Sequence, residues 1–357
     1  MLYFSIFCAL VLIRYALAGK HAIRRQIYPL ILGALFVFSA FRFEVGCDWS
    51  GYQKMFELQA ASSLSDALLR GDPAWWTLMG LTNLGGLPYP WINVFSSAIF
   101  FAGIHVLARR QGDPLGFLVL LYPVLIINLP MSGIRQGAAI GLMCIAFTAF
   151  LDRRLIAFLL WTFAASLFHS SAAVFILLAP MVHGEYSASR IALAGFLAVP
   201  GAVALLTGSD AQLAVSRYVG TGVDSAGAIF RFGLLLATGL FFFVLVRGTW
   251  RKRFPQDFSL IALGALLMVG LFPLMFVSTV IGDRIAYYLV PLQAVILSRF
   301  AYLGRGFCSP SMTFAPYLIL GLMLFVWTNS SWHFYECYVP YKTWIFGSPS
   351  GSDFTVE

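Results

Sequence analysis

Charge is what this sequence has least of. Asp, Glu, Lys and Arg make up 11% of its 357 residues, against 60% hydrophobic ones, where a soluble domain carries about a quarter charged. Nucleotide signatures are missing too. There is no Walker loop, no G-x-G-x-x-G fingerprint and no serine nucleophile elbow, so nucleotide-driven chemistry is not indicated. The five cysteines (8, 47, 144, 308 and 337) show no C-x-x-C and no Cys/His ligand spacing, so neither a metal site nor a cofactor is expected from them. No carboxylate-rich metal box accompanies the arginines, and no two halves of the chain match.

What is present is hydrocarbon. The mean hydropathy is +0.84, and most of the chain falls into apolar runs of about 15–20 residues separated by short polar turns, the pattern of a polytopic membrane protein. Such runs are too long and too uniformly apolar for barrel strands, and only helices then satisfy their backbone groups in lipid. The expected fold is therefore all-α, a single integral membrane domain over residues 1–357. About twelve transmembrane helices (range about 10–13) are expected, near 2–18, 26–41, 87–108, 115–130, 134–151, 155–169, 171–184, 190–207, 229–247, 258–277, 285–303 and 313–329. Ala16-Leu17-Ala18 resembles a signal-peptide cleavage site, but the segment before it lacks a basic start and Lys20, Arg24 and Arg25 follow it, so it is read as the first helix. Residues 73–86, short, apolar and led by Trp75 and Trp76, are read as an interfacial helix or a re-entrant hairpin within a loop over 42–86.

The net charge of +8 is explained by orientation in the bilayer and not by nucleic acid. With the turns alternated between two sides, 15 of the 23 Lys and Arg fall on one of them, which the positive-inside rule makes the cytoplasm. The exported side then holds the 42–86 and 207–228 loops, a tail over 329–357, and eight exceptions: Arg42, Lys54, Arg70, Arg135, Arg217, Arg231, Arg284 and Lys342. An arginine on the disfavoured side has usually been kept for a partner, although lipid headgroups or snorkelling explain Lys54, Arg70 and Arg231 as well.

The densest polar motif is Phe41 to Tyr52, FRFEVGCDWSGY, which places Arg42, Asp48 and Tyr52 beside a membrane exit. In NLPMSGIRQGAA, Pro130 and Gly133 interrupt an apolar run and Arg135-Gln136 open the next helix. A guanidinium at a helix N-terminus suits a phosphate, or caps a turn. His169, in SLFHSSAA, is a proton-transfer group or a satisfied structural histidine. Asp283, Arg284 and Tyr287 sit at the start of a later helix, and Arg217 within an exported loop. The separated guanidiniums suit a pyrophosphate, while Asp283 and Arg284 also read as a local ion pair. The tail carries Tyr341 and Lys342 among aromatics that form an interfacial belt or stack on sugars. Cys47 and Cys337 both fall on the oxidising exported side, so they read either as two free thiols or as a disulfide between the 42–86 loop and the tail.

Together FRFEVGCDWSGY, SGIRQGAAIG, FHSSAAVFILLAP, DRIAYY and NSSWHFYECYVPYK resemble the EpsG/Wzy-type family of bacterial polysaccharide polymerases, which often has a small hydroxyl residue where this chain has Cys47. The resemblance implies a multi-pass enzyme of the bacterial inner membrane with its active site on the periplasmic face. It would transfer a growing glycan from undecaprenyl pyrophosphate to the nonreducing end of a lipid-linked oligosaccharide repeat. Donor and acceptor oligosaccharide lipids are then its substrates, and a chain-length regulator and a flippase are partners compatible with it. Asp48, His169 and Arg135 would be catalytic, with Arg42, Tyr52, Gln136, Arg217, Asp283, Arg284, Tyr287, Tyr341 and Lys342 binding pyrophosphate or sugar. The competing classes are an oligosaccharide-lipid flippase, an O-antigen-ligase-like enzyme and a membrane O-acyltransferase.

Overall fold

The computed structural model describes residues 1–183, 187, 189–190, 192–193, 196, 225, 227–304 and 309–347. The expected helix at 190–207 falls almost wholly outside them, and Arg217 entirely so. Among the described residues the chain is all-helical, with one isolated antiparallel bridge, Arg42 to Thr343. Seven helices are long and apolar enough to cross a membrane: Ala22–Ala40, Pro90–Ala108, Ile134–Leu151, Ala228–Arg253, Phe258–Phe276, Thr279–Tyr302 and Pro310–Ser330. Leu2–Ala16, Pro114–Ile126, Leu155–Phe168 and Ser170–Met181 are apolar but shorter. Against the expected dozen, the described residues thus give seven helices of spanning length and four shorter apolar ones.

The chain forms two compact units. The first comprises Met1–Leu142, Ala164–Ser170 and Phe314–Glu357; the second comprises Met143–Phe163 and Ser171–Thr313.

In the first unit, α1 (Leu2–Ala16) and α2 (His21–Ala40) lead into what reads from sequence as a long loop. It holds two amphipathic pieces, α3 (Trp49–Ala60) and α4 (Leu64–Leu69). A capping box starts α4: the Ser63 side chain accepts from the Asp66 backbone N–H and the Asp66 carboxylate accepts from that of Ser63, satisfying two orphan donors. Those hydrogen bonds hold the Asp66 carboxyl below its usual range. Helix α5 (Pro73–Leu84) has Asp72 as N-cap and Pro73 in its first turn, where the missing proline N–H costs nothing.

Helices α6 (Pro90–Ala108), α7 (Pro114–Leu121) and α8 (Ile134–Leu151) follow. Where α6 and α8 cross, glycine faces glycine. A Cβ on Gly103 would lie 1.8 Å from the Gly141 carbonyl oxygen, and one on Gly141 would lie 2.6 Å from that of Ile99. Dispersion between closely approaching backbones replaces the hydrophobic drive that lipid cannot supply. Helix α9 (Leu155–Phe168) ends at His169, and the later helices are α10 (Ala228–Phe241), α11 (Arg247–Arg253), α12 (Phe258–Gly270), α13 (Thr279–Ser298), α14 (Pro310–Ser330) and α15 (Trp332–Tyr338). Helix α13 starts six residues before the expected boundary at 285 because the Ser278 hydroxyl accepts from Ile281 N, so Asp283 and Arg284 lie inside it.

Candidate active site

The FRFEVGCDWSGY segment is held by a clasp built with the C-terminal tail. Phe43 N donates to Lys342 O (2.9 Å), Trp344 N to Phe41 O (3.1 Å) and Gly46 N to Cys337 O (2.6 Å). A disulfide joins Cys47 to Cys337, and Lys342 Nζ lies 2.6 Å from Glu44 Oε2. The Tyr341 hydroxyl donates to Phe38 O at 2.8 Å and its ring stacks on Phe38; burial raises its pKa. Tyr341 and Lys342, expected to bind sugar or pyrophosphate, are occupied in this clasp.

Gly46 is the hinge of the loop. Its φ is +101°, and a Cβ there would lie 1.8 Å from the Met131 carbonyl oxygen. Gly46→Ala is therefore expected to dislodge the loop, seen as loss of folded protein in fluorescence-detection size-exclusion chromatography. The Cys47→Ser/Cys337→Ser variant is expected to fold but to melt lower. Removing a native disulfide typically costs about 2–5 kcal/mol in small secreted domains, more for long closed loops in the chain-entropy account, and this one spans 290 residues.

Arg42, expected from the sequence to bind pyrophosphate, lies inside the protein. Its residue is 1% exposed, and its guanidinium donates to Val45 O (2.8 Å), Ser39 O (2.9 Å) and Asn93 Oδ1 (2.8 Å). Burial without a carboxylate lowers its pKa. Each of its three nitrogens donates to the protein and the residue is buried, so Arg42 is a strut that shapes the loop from within.

Beside that strut the polar groups converge. Trp49, Phe56, Trp75, Met79, Tyr89 and Ile134 form one buried cluster, against which Tyr52 and Phe168 pack. Trp49, Ile134 and Phe168 are the chain neighbours of Asp48, Arg135 and His169, so burying these three apolar side chains carries the three polar ones to one region of the first unit. Asp48 is exposed; its Oδ2 accepts from the Ser132 hydroxyl at 3.3 Å, and its N–H donates to the same oxygen at 3.3 Å. Three residues on, Arg135 Nη1 lies 2.9 Å from Asp72 Oδ2, and Asp72 Oδ1 accepts from Ser170 N at 2.8 Å. Asp72 adopts a left-handed backbone, φ 58°.

One carboxylate thus ties the N-terminus of α8 to the turn after His169. Arg135 Nε is buried with no hydrogen-bond partner, while the side chain is 25% exposed. Gln136 and His169 are buried at 7% each. Tyr52 is half-buried, edge-on to Trp75.

The sequence motifs do not single out Asp72, Ser132 or Asn93. Asp72 had a readable signal, since Asp followed by Pro marks a helix start.

The second unit holds the other expected group. Asp283 pairs with Arg231 and not with Arg284: Arg231 Nε and Nη2 lie 2.6 Å from Asp283 Oδ1 and Oδ2. Ser225 Oγ donates to Oδ2 at 2.7 Å. The guanidinium also lies 5.0 Å over the Tyr287 ring. Asp283 and Tyr287 are therefore committed to a buried ion pair. Arg284 is half-buried.

A polytopic helical protein that collects an arginine, two carboxylates and a histidine at the ends of apolar helices belongs with the multi-pass membrane proteins carrying a polar site. The chain belongs to the EpsG family, whose profile matches residues 25–343, and is a polysaccharide-polymerase-type membrane protein. No curated protein and no solved structure matches it.

Proposed function

We propose that the protein is a glycosyltransferase that lengthens a polysaccharide by moving a growing glycan from undecaprenyl pyrophosphate to the nonreducing end of a lipid-linked repeat, at the periplasmic face of the inner membrane. The observation that carries this is Arg135. It stands in the first turn of α8 with one ion pair, to Asp72, and a buried Nε without a partner. A guanidinium has five N–H donors, so this one keeps capacity for a pyrophosphate, and the helix N-terminus adds a favourable field.

In this reading Arg135 stabilises charge as the pyrophosphate leaves. Asp48, exposed and held only by Ser132 among the described contacts, takes the acceptor hydroxyl's proton. His169 and Gln136 position the reacting groups, and Tyr52 meets sugar. The bond from anomeric carbon to phosphate breaks, the bond to the acceptor oxygen forms, and the released polyprenyl pyrophosphate keeps the bonding electrons. The activated sugar supplies the energy, so no nucleotide is needed.

The test is conversion of a purified lipid-linked repeat into a ladder by the reconstituted protein. A ladder from wild type and none from Asp48→Ala, equally expressed, supports the reading. Movement of the lipid across vesicles without new glycosidic bonds would replace it by a flippase.

A further inference from the structure

The first unit has a second polar feature, at the other ends of α2 and α6. These helices run from Arg42 and Asn93 near one end to Arg24, Arg25 and Arg109 at the other, and α2, of 20 residues, is about 30 Å long at roughly 1.5 Å per residue. There a cavity of about 530 Å³ is lined by Arg24, Arg25, Tyr28, Pro29, His105, Arg109, Gly112 and Pro114. Three guanidiniums and no carboxylate line it.

The walls are built and not merely charged. Asp113, the N-cap of α7, accepts from Gly116 N at 2.9 Å, and lies 3.0 Å from Arg14 Nε and 3.2 Å from Arg24 Nη1. Arg24 also donates to Leu17 O at 3.2 Å, and its Nε is buried with no partner. Tyr28 is buried, stacks on His105 and shares a 3.2 Å hydrogen bond with its Nδ1. Arg25 and Arg109 are exposed, and no carboxylate pairs with either among the described residues. Asp113 is shared by Arg14 and Arg24, so Arg25 and Arg109 bring two positive charges to the open hollow with no carboxylate against them among the described residues.

An orientation signal explains basic residues at a helix end, but it requires neither a cavity nor an arginine fixed by a capping aspartate. We propose that this cavity binds a phosphate-bearing anion. A fixed Arg24 would be the anchor, Arg25 and Arg109 would close over the phosphate oxygens, and the Tyr28 hydroxyl lies at the wall. Since α2 and α6 are membrane-spanning by length, the headgroup of an anionic lipid is one source; free phosphate is the other. The site is separate from the Arg135 region and does not rest on the polymerase reading.

The test uses full-length protein in detergent, with the Arg25→Gln/Arg109→Gln variant, whose two side chains make no described ion pair. Arg251→Gln/Lys252→Gln, losing the same charge elsewhere, is the control. Native mass spectrometry with added phosphatidylglycerol reads the lipid source; the shift in melting temperature with inorganic phosphate reads the free one. Retention of phosphatidylglycerol by wild type and control, reduced at least about tenfold in the cavity variant, a difference of about 1.4 kcal/mol, supports a headgroup site. A phosphate-induced shift that the cavity variant alone loses supports a site for the free anion. Equal behaviour of all three proteins, or equal loss in variant and control, would overturn the proposal.

Discussion

Arg135→Ala is expected to collapse the polysaccharide ladder to single repeats in cells whose only copy of the gene carries it. A hydrogen bond to a charged group contributes about 1.5–3 kcal/mol, which is roughly 10- to 150-fold at about 1.4 kcal/mol per decade. A donor pyrophosphate engages more than one N–H of a guanidinium, so the upper end is expected, with Arg135→Lys recovering little because an ammonium lacks the planar fork. The substitution also strips Asp72, 11% exposed at its side chain, of its cation, so lost activity alone does not separate chemistry from support. Arg135→Gln/Asp72→Asn does separate them. It keeps a neutral hydrogen-bonding pair where the ion pair stood, removes both charges together, and leaves an oxygen to accept from Ser170 N. If Arg135 binds departing pyrophosphate, the double variant folds and gives no ladder. A normal ladder from it would reduce Arg135 to a brace for Asp72.

The contrast between Arg135 and Arg42 shows what the sequence reveals. Helices, their approximate ends and the polar loop beside the first exit follow from apolar runs, since lipid allows the backbone few options. Topology puts Cys47 and Cys337 on one side, and the structure joins the same two. The α4 capping box was also readable, in Ser63-x-x-Asp66. Apart from that cysteine pair, contacts between residues far apart in sequence were not. Arg42 and Arg135 each follow an apolar run and look alike as exported arginines. Only the folded loop shows three oxygens, from Ser39, Val45 and Asn93, engaging each nitrogen of the first while the second keeps a buried unpartnered nitrogen. Asp283 and Arg284 look paired because they are adjacent, yet adjacent residues on a helix do not face each other. The carboxylate reaches instead across 52 positions to Arg231, an arginine that the sequence leaves open between a partner and lipid headgroups.

That pair carries the second large expectation. Asp283→Ala should destabilise the second unit by about 3–5 kcal/mol, the usual cost of removing one partner from a buried ion pair. The carboxylate is held bidentately by Arg231 and receives the Ser225 hydroxyl. With Asp283 4% and Arg231 9% exposed, solvent cannot replace it. The guanidinium would then keep its charge at a 9% exposed residue, beside the Tyr287 face and the Ser225 hydroxyl. The penalty comes from the stranded charge and not from the lost attraction. Removing both charges in Arg231→Met/Asp283→Leu should therefore restore most of the loss, because desolvating the pair offsets much of its Coulomb gain. Thermal unfolding of the purified protein in detergent checks this: the single variant melts well below wild type, and the double variant melts between the two or close to wild type. If Asp283→Ala instead melted like wild type while the ladder disappeared, Asp283 would act on substrate, as the motif DRIAYY first suggests. The bidentate pair would then be a resting contact that substrate opens.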